Sequence, residues 1–543
     1  MVVRAAPTRE NDCRSHQPAD ALLPGSCRAR TTLVPSLGNV TKMRAANFGF
    51  PAVLLVGAAV VMAGGFRAPG SEFDEGRLVA LPVRILHGAV PYRDFESFYG
   101  PANTYVVAAV FKLFGPSLEG ERAIGLVVRL LAMLAIFWLG RRFGLVSGLV
   151  AGSIAALLLC GEIGAGADPE ALALALIALA LTVLSAETRA RPSSLAFAGG
   201  LLGGIAALFR LEILPAVLLG ALVLLLPRTR SLVSYACGLL FGLLPYVAVA
   251  VVVGYGRLRL NYHDLVATGR DRRLPIPGPH SEAGRILLVS LCATALVLGV
   301  GVWRTARTGD PHSRLLLGLG LFAAAQAPFA FWRADAPHIL IAGLVPLAFL
   351  PCALAKALDR GGSWQGLVVA GSAGLLLALF LLSTTSVRAN IATEMRALAG
   401  RRVGYDVSYD GRSFIIASRP ASIDLQRVVS FLGAEAHPGQ RLFVGPSDLR
   451  RTNYNDVFLY YLLPWLKPAS FYVEVDPFLS NPGSSLPADL ERSDYLVLSS
   501  RWNGHLEDNA SRRLGSPVPN QIVRSLFCVQ RRFGTYVVDR RCR

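Results

Sequence analysis

Lysine is nearly missing from this chain. It stands only at Lys42, Lys112, Lys356 and Lys467, and arginine carries the rest of the positive charge. Charge of either sign is sparse, at 17% of residues against 53% hydrophobic, where soluble domains run near 25% charged. The sequence has no C-x-x-C, no H-E-x-x-H and no glycine-rich P-loop, so the common thiol-redox, zinc and nucleotide signatures are out. Cys160, Cys237, Cys292 and Cys352 stand singly in apolar runs and read as small buried hydrophobes. The formal net charge of +18 raises nucleic acid as a partner, but no soluble basic domain with interleaved aromatics supports it. Arginines flanking apolar runs fit membrane orientation instead. Arginine in place of lysine, beside abundant alanine and glycine, associates with a bacterial origin.

What is abundant is long apolar sequence. A helix needs about 20 apolar residues to cross the hydrocarbon. Such runs fall near 48–66, 122–140, 145–162, 169–186, 195–209, 212–227, 232–254, 286–302, 315–332, 338–356 and 366–384, which makes about eleven spans. The stretch 101–115 is shorter and carries Lys112, so it is expected to lie in the interface. Every second junction is basic: Arg141 and Arg142; Arg189 and Arg191; Arg228 and Arg230; Arg304, Arg307 and Arg314; Lys356 and Arg360. The positive-inside rule puts these junctions in the cytoplasm. Residues 1–44 share that side; they lack the apolar core of a signal peptide and read as a disordered cytoplasmic tail.

The expected fold is an α-helical polytopic membrane protein, with a transmembrane module at 45–385 and an extracytoplasmic α/β domain at 386–543. In the latter, strands are expected at 412–417, 441–445, 470–475, 494–499 and 534–539, with helices at 421–436 and 453–463. Its aromatic residues Tyr454, Tyr460, Tyr461, Trp465, Phe471 and Tyr472 fit either a packed core or a surface for sugar rings. With the C-terminus outside, Cys528 and Cys542 lie where one disulfide can form.

The other junctions, all on the outer face, carry mixed charge: Asp74, Glu75, Arg93 and Asp94; Glu162, Asp168 and Glu170; Arg210 and Glu212; His263, Asp264 and Arg270–Arg273; Arg333, Asp335 and His338. Charges at membrane depth are costly and usually face a functional cavity. The first loop is the densest, with Glu72 and Glu96 besides. Leu78, Leu81, Ile85 and Leu86 repeat at helical spacing, which predicts a short amphipathic helix along the membrane surface, ended by Gly88 and Pro91. Ser71-x-x-Asp74 suits a helix cap, and a carboxylate there equally suits a general base. Asp168-Pro169-Glu170 reads as an N-cap with proline at the first helical position, or as a second site acid. Arg210 with Glu212 reads as a local ion pair, or as a fork for phosphate. Arg129, one helical face from Arg122, reads as structural, paired with an acid on a neighbouring span. Residues 261–264 and 270–279 read as a loop, solvated or closing as a lid.

Asp74-Glu75-x-Arg77, the helix ending at Gly88, then Pro91-Tyr92, Asp94-Phe95, Gly100-Pro101 and Leu113-Phe114-Gly115 before Arg122 resemble the first external loop of GT-C superfamily glycosyltransferases. The branch is the polyprenyl-phosphate-sugar-dependent one, with protein O-mannosyltransferases and aminoarabinose transferases, and the resemblance covers roughly 45–350. It implies that Asp74 is the catalytic base with Glu75 in support, that 75–88 and 101–115 are membrane-parallel helices, and that Asp168 and Glu170 supply a second acid near substrate. It implies that Arg210 and Arg333 meet the donor phosphate, with Asp335, His338 and Asp94 nearby. The aminoarabinose branch carries a lysine before the proline that opens the second surface helix. Here Tyr99-Gly100 stand before Pro101, so that contact falls to Arg93 or Arg210. Some branches use a divalent ion, for which Asp74 and Asp168 are the candidate ligands. The implied partners are a polyprenyl-phosphate sugar, membrane lipids and an extracytoplasmic acceptor hydroxyl, at a bacterial plasma membrane. A transporter or lipid flippase, or a non-catalytic envelope scaffold, are the competing readings. The topology is tested by single cysteines introduced into 73–101 and 304–314. A membrane-impermeant maleimide should label the first from outside intact cells and the second only after permeabilisation; the reverse pattern would overturn the orientation.

Overall fold

The computed structural model describes residues 37–161, 164, 166–188, 190–358 and 363–542. Most of the tail expected at 1–44, together with Glu162, Arg189 and Arg360, lies outside the described residues. From Leu37 the backbone is already helical. Fifteen helices follow in order: α1 (Leu37–Ala63), α2 (Asp74–Leu86), α3 (Pro101–Phe114), α4 (Leu118–Arg141), α5 (Leu145–Leu159), α6 (Ala167–Glu187), α7 (Pro192–Phe209), α8 (Leu214–Leu225), α9 (Thr229–Val253), α10 (Tyr255–Asp271), α11 (Glu282–Thr308), α12 (Pro311–Trp332), α13 (Ala336–Leu358), α14 (Ser363–Ser383) and α15 (Thr385–Leu398).

Among the described residues nine helices are long and apolar enough to cross a membrane: Gly49–Arg67, α4, α6, α7, α9, α11, α12, α13 and α14. The chain is a multi-pass membrane protein. The two other expected crossings correspond to α5 and α8, which are apolar but shorter. Helix α3 has 14 residues and so rises about 21 Å, short of a hydrocarbon core of about 30 Å. Leu113 and Phe114 at its end are exposed, as an interfacial helix requires.

Local chemistry sets where the helices begin. Ser117 accepts from the Gly120 amide, Ser281 from Gly284 and Asp310 from Ser313, each at 3.0 Å, satisfying amides that have no partner inside the helix. The basic junctions gather at one end of the bundle and hold each other there. Arg142 pairs with Glu187 at 2.6 Å, Arg228 donates to the carbonyls of Ser185 and Thr188, and Lys356 lies 3.8 Å from Asp310.

Beyond α15 come β1 (Tyr405–Tyr409), β2 (Arg412–Ile416), α16 (Arg419–Glu435), β3 (Arg441–Pro446), α17 (Leu459–Leu462), β4 (Lys467–Pro468), α18 (Leu486–Glu491), β5 (Tyr495–Ser499), α19 (Val518–Leu526), β6 (Phe527–Phe533) and β7 (Tyr536–Arg541). β1 and β2 form a hairpin, and the other strands make one mixed sheet in the order β4-β3-β5-β7-β6. Cys528 and Cys542 are joined by a disulfide. Three expectations are corrected. Residues 470–475 are not a strand, because their polar groups are taken up by Glu96, Asn455 and Asp489 rather than by a ladder. Of the loop expected at 261–264 and 270–279, the part up to Asp271 is the C-terminal half of α10 and the rest is not helical, and the helix expected at 453–463 is the single turn Leu459–Leu462.

Helix α2 also departs from a simple surface helix. Glu75 to Val83 are all buried, because the α/β domain covers the face that would otherwise meet water. Phe73, Val79, Ala80, Leu81 and Val83 share one apolar core with Val407, Phe414, Leu425 and Phe458. A Cβ at Gly76 would stand 2.7 Å from the Phe458 amide nitrogen, so glycine is what lets the two backbones meet. On the bundle side, Glu75 takes Arg122 in a bidentate pair, 2.7 Å on both oxygens. Arg122 also donates to the carbonyls of Gly65, Phe66 and Ala68. Removing one partner of a buried pair strands a charge and costs about 3–5 kcal/mol. Glu75→Ala should therefore lower thermal stability by that order in a detergent-solubilised unfolding assay, and a change under about 1 kcal/mol would show the pair is not structural.

Candidate active site

A cavity of about 660 Å³ opens at the end of the bundle opposite the basic junctions. Helix ends form its walls: the start of α2, the end of α5, the start of α6, the end of α7, the end of α10, the α12–α13 junction and the start of α15. Asp74, Glu75, Asp168, Arg210, Arg333, Asp335 and His338 all line it. The α/β domain closes the remaining side with Tyr454, Glu474 and Asp476.

Each lining charge has a definite partner. Asp168 is not the N-cap of α6; Gly166 holds that position, and the carboxylate is ion-paired to Arg210. Arg210 also lies 3.6 Å from Glu212 and stacks over the rings of Phe329 and Tyr99, at 4.3 Å and 5.2 Å. Arg77 caps the same Tyr99 ring at 4.5 Å and pairs with Glu474 at 2.7 Å. Gly100 fixes Tyr99 in place. Its amide donates to the Phe209 carbonyl at 2.9 Å, and a Cβ there would stand 1.9 Å from the Leu208 carbonyl.

Arg333 is held between two carboxylates, Asp335 at 2.7 Å and Glu507. Asp335 in turn accepts from His338 at 2.6 Å; against the burial that raises it, this contact and the Arg333 charge hold the Asp335 carboxyl below its ordinary range. Arg272, at the end of α10, pairs with Asp476 and stacks over Phe73 at 4.6 Å. Asp74 differs from all of these. Its carboxylate accepts from the Ser71 hydroxyl at 3.1 Å, and the Ser71 oxygen accepts from the Asp74 amide at 2.9 Å. It is exposed to the cavity. Among the described residues it is the lining carboxylate that no cation claims.

Four expected site residues are used otherwise. Glu75 borders the cavity but is committed to Arg122. Glu170 is buried off the cavity and accepts from the Asn103 amide at 2.6 Å. Arg93 and Asp94 pair with each other at 2.8 Å away from it, where Asp94 accepts from the Val90 amide and its carbonyl takes Arg84. Short spacing to a carboxylate on the next residue is what claims Arg93. Arg129 lines the cavity and donates to the carbonyls of Gly125 and Gly164. Among the described residues, no three His, Cys, Asp or Glu side chains gather as a metal site.

The residues that sequence reasoning missed are Glu474, Asp476 and Glu507; Arg77 stands there within the first-loop motif and Arg272 within the Arg270–Arg273 cluster, neither with a site role. Glu474 and Asp476 sit two apart in an extended run, Tyr-Val-Glu-Val-Asp, and that spacing puts both on one side. Burial, reinforced by the neighbouring charges of Asp476 and Asp74, pushes the Glu474 carboxyl up in spite of Arg77.

The class defined here is a multi-pass membrane protein with an acid-and-arginine cavity at its helix junctions, roofed by an α/β domain. Residues 99–255 match the family model described as dolichyl-phosphate-mannose-protein mannosyltransferase. That family lies within the GT-C membrane glycosyltransferases, the class which the first loop resembles. A comparison with curated proteins returns no match. Among solved structures, ArnT from Cupriavidus metallidurans bound to undecaprenyl phosphate is 16% identical, over 93% of this chain and 98% of that one, with a TM-score of 0.49. The same protein in the apo state is 16% identical, over 92% and 98%, with a TM-score of 0.46. The Archaeoglobus fulgidus oligosaccharyltransferase, in complex with zinc and sulfate, is 12% identical, over 89% of this chain and 72% of that one, with a TM-score of 0.45.

The Glu474 carboxyl generates a pH prediction. An acid whose pKa is raised in the folded state binds its proton more tightly there than when unfolded, so stability falls as pH rises between the two values. Thermal stability should decline as pH rises above the ordinary carboxylate range. Glu474→Gln should flatten that slope, and an unchanged slope would show that Glu474 is already ionised in the folded protein.

Proposed function

We propose that the chain transfers a sugar from a polyprenyl-phosphate donor to a hydroxyl of an extracytoplasmic acceptor, a cell-envelope glycan, lipid or protein. The observation that carries this is Asp74. Among the described residues, the other carboxylates lining the cavity lie against arginines, whereas Asp74 accepts from the Ser71 hydroxyl and faces open space. Such a carboxylate can take the proton of an attacking hydroxyl, a role worth about 10²–10⁴-fold in rate. The family description over residues 99–255 names dolichyl-phosphate mannose, a polyprenyl-phosphate sugar, and such a donor needs no nucleotide site.

Arg210 and Arg333 are the groups we assign to the departing lipid phosphate. Each already rests against carboxylates, which holds the guanidinium in place at membrane depth. A guanidinium has five N–H donors, so pairing leaves donors for phosphate oxygens. Positive charge fixed where negative charge develops is the usual largest contribution to such catalysis. Attack on the face opposite the phosphate inverts the anomeric carbon. The cavity, the first loop and the α/β domain then lie outside the plasma membrane of a bacterium. Apart from Arg129 in the middle of α4, the charged groups of the cavity gather at one end of the helices, which favours transfer at a surface over transport.

Asp74→Asn keeps the size and the hydrogen bond with Ser71 but removes the base. Purified chain carrying it should lose at least about 100-fold in transfer from a polyprenyl-phosphate sugar, with unchanged thermal stability. Retained transfer would overturn the assignment.

A further inference from the structure

A second cleft, of about 700 Å³, lies outside the cavity between the end of α10 and the loop at 508–513 of the α/β domain. Arg270, Arg273, Arg512 and Arg513 line it against only Asp271 and Asp508. Asp271 is 3.5 Å from Arg270, and Asp508 is ion-paired with Arg512. That leaves Arg273 and Arg513 without a carboxylate among the described residues, both exposed. Two opposed segments thus present guanidinium groups across a gap of ligand size with a surplus of positive charge. The planar guanidinium fork suits multi-oxygen anions such as phosphate, two oxygens at a time.

The cleft adjoins the cavity through the chain itself. Arg272 faces the cavity while its neighbours Asp271 and Arg273 face the cleft. On the other side, Glu507 holds Arg333 at the cavity wall and the next residue, Asp508, lines the cleft. The two lie back to back along both segments.

We infer that this cleft binds the anionic part of the acceptor, and that the acceptor is a glycan bearing phosphate-type oxyanions. The inference rests on the transferase reading for the word acceptor; the anion site itself stands on the arginines. Polyanion chemistry also occurs in lipid headgroups, and the test separates the two.

The full chain in detergent micelles is titrated calorimetrically with inositol hexakisphosphate and with inositol. Saturable binding of the phosphorylated polyol and none of the neutral one is expected. Arg273→Glu with Arg513→Glu removes two charge-assisted donors and reverses their charge, so it should weaken binding by about tenfold or more. The exposed pair Arg419→Glu with Arg524→Glu, elsewhere on the same domain, should leave it unchanged, which controls for net charge. Asp74→Asn should bind as tightly as the unaltered chain, so failure of the transferase assignment and failure of this site are told apart. Equal weakening by the two double variants, or absence of saturation, would overturn the site. Displacement of the probe by phosphatidylglycerol added to the micelles would overturn the glycan acceptor in favour of a lipid headgroup.

Discussion

Taking a carboxylate or a guanidinium out of water costs several kcal/mol unless an opposite charge and hydrogen bonds replace the solvent, and the first loop is organised by that constraint. It carries five carboxylates close to membrane depth. Glu72 is held by Arg501 at 2.6 Å, Glu75 by Arg122 and Asp94 by Arg93. Glu96, fully buried, accepts from the Val473 amide at 3.1 Å, and burial pushes its carboxyl far above the usual range. Among the described residues of the loop, Asp74 is the carboxylate left facing open space, with a serine hydroxyl for company. The acidity of the loop is therefore mostly structural, and the site emerges as the one carboxylate that structure does not consume.

The same constraint ties the α/β domain to the membrane helices. Glu72–Arg501, Arg77–Glu474, Arg272–Asp476 and Arg333–Glu507 all cross between the two, and Tyr472 adds a hydrogen bond to Asp264 at 2.6 Å. An apolar core runs beneath them from Phe73 and Phe95 to Phe458 and Val473. Neither layer suffices alone. The apolar contact supplies area without direction, whereas paired charges fix which residues face each other across the cavity. That division explains why a domain lacking any residue in the expected first-loop motif still forms one wall of the site.

Close approach of backbones is the other condition. α7 and α9 touch through glycines: a Cβ at Gly200 would meet the Tyr235 carbonyl at 1.9 Å, and one at Gly238 the Phe197 carbonyl at 2.1 Å. Small residues at helix interfaces let main chains pack directly where lipid offers no hydrophobic drive. The end of α7 is thereby held still, and that end presents Arg210 between Asp168 and the Phe329 ring. Positioning of one cavity cation thus begins some turns away, in side chains that are absent.

How much of this was legible in the sequence follows from the range of each signal. Apolar runs and alternating arginines report on single helices and their ends, so helix positions and the convergence of Asp74, Asp168, Arg210, Arg333, Asp335 and His338 at one end could be read from them. Partner choice could not. Whether Asp168 caps its own helix or meets Arg210, 42 positions away, depends on packing that no local pattern encodes. Arg93 looked available for phosphate because the sequence does not show that its neighbour Asp94 turns back upon it. The residues contributed by the α/β domain were hardest, since a contact such as Glu72 with Arg501 spans 429 positions. Glu474 and Asp476 still left a trace in their two-residue spacing. Two acids on one side of an otherwise apolar extended segment face a large desolvation cost unless cations approach from another part of the chain, and Arg77 and Arg272 are those cations.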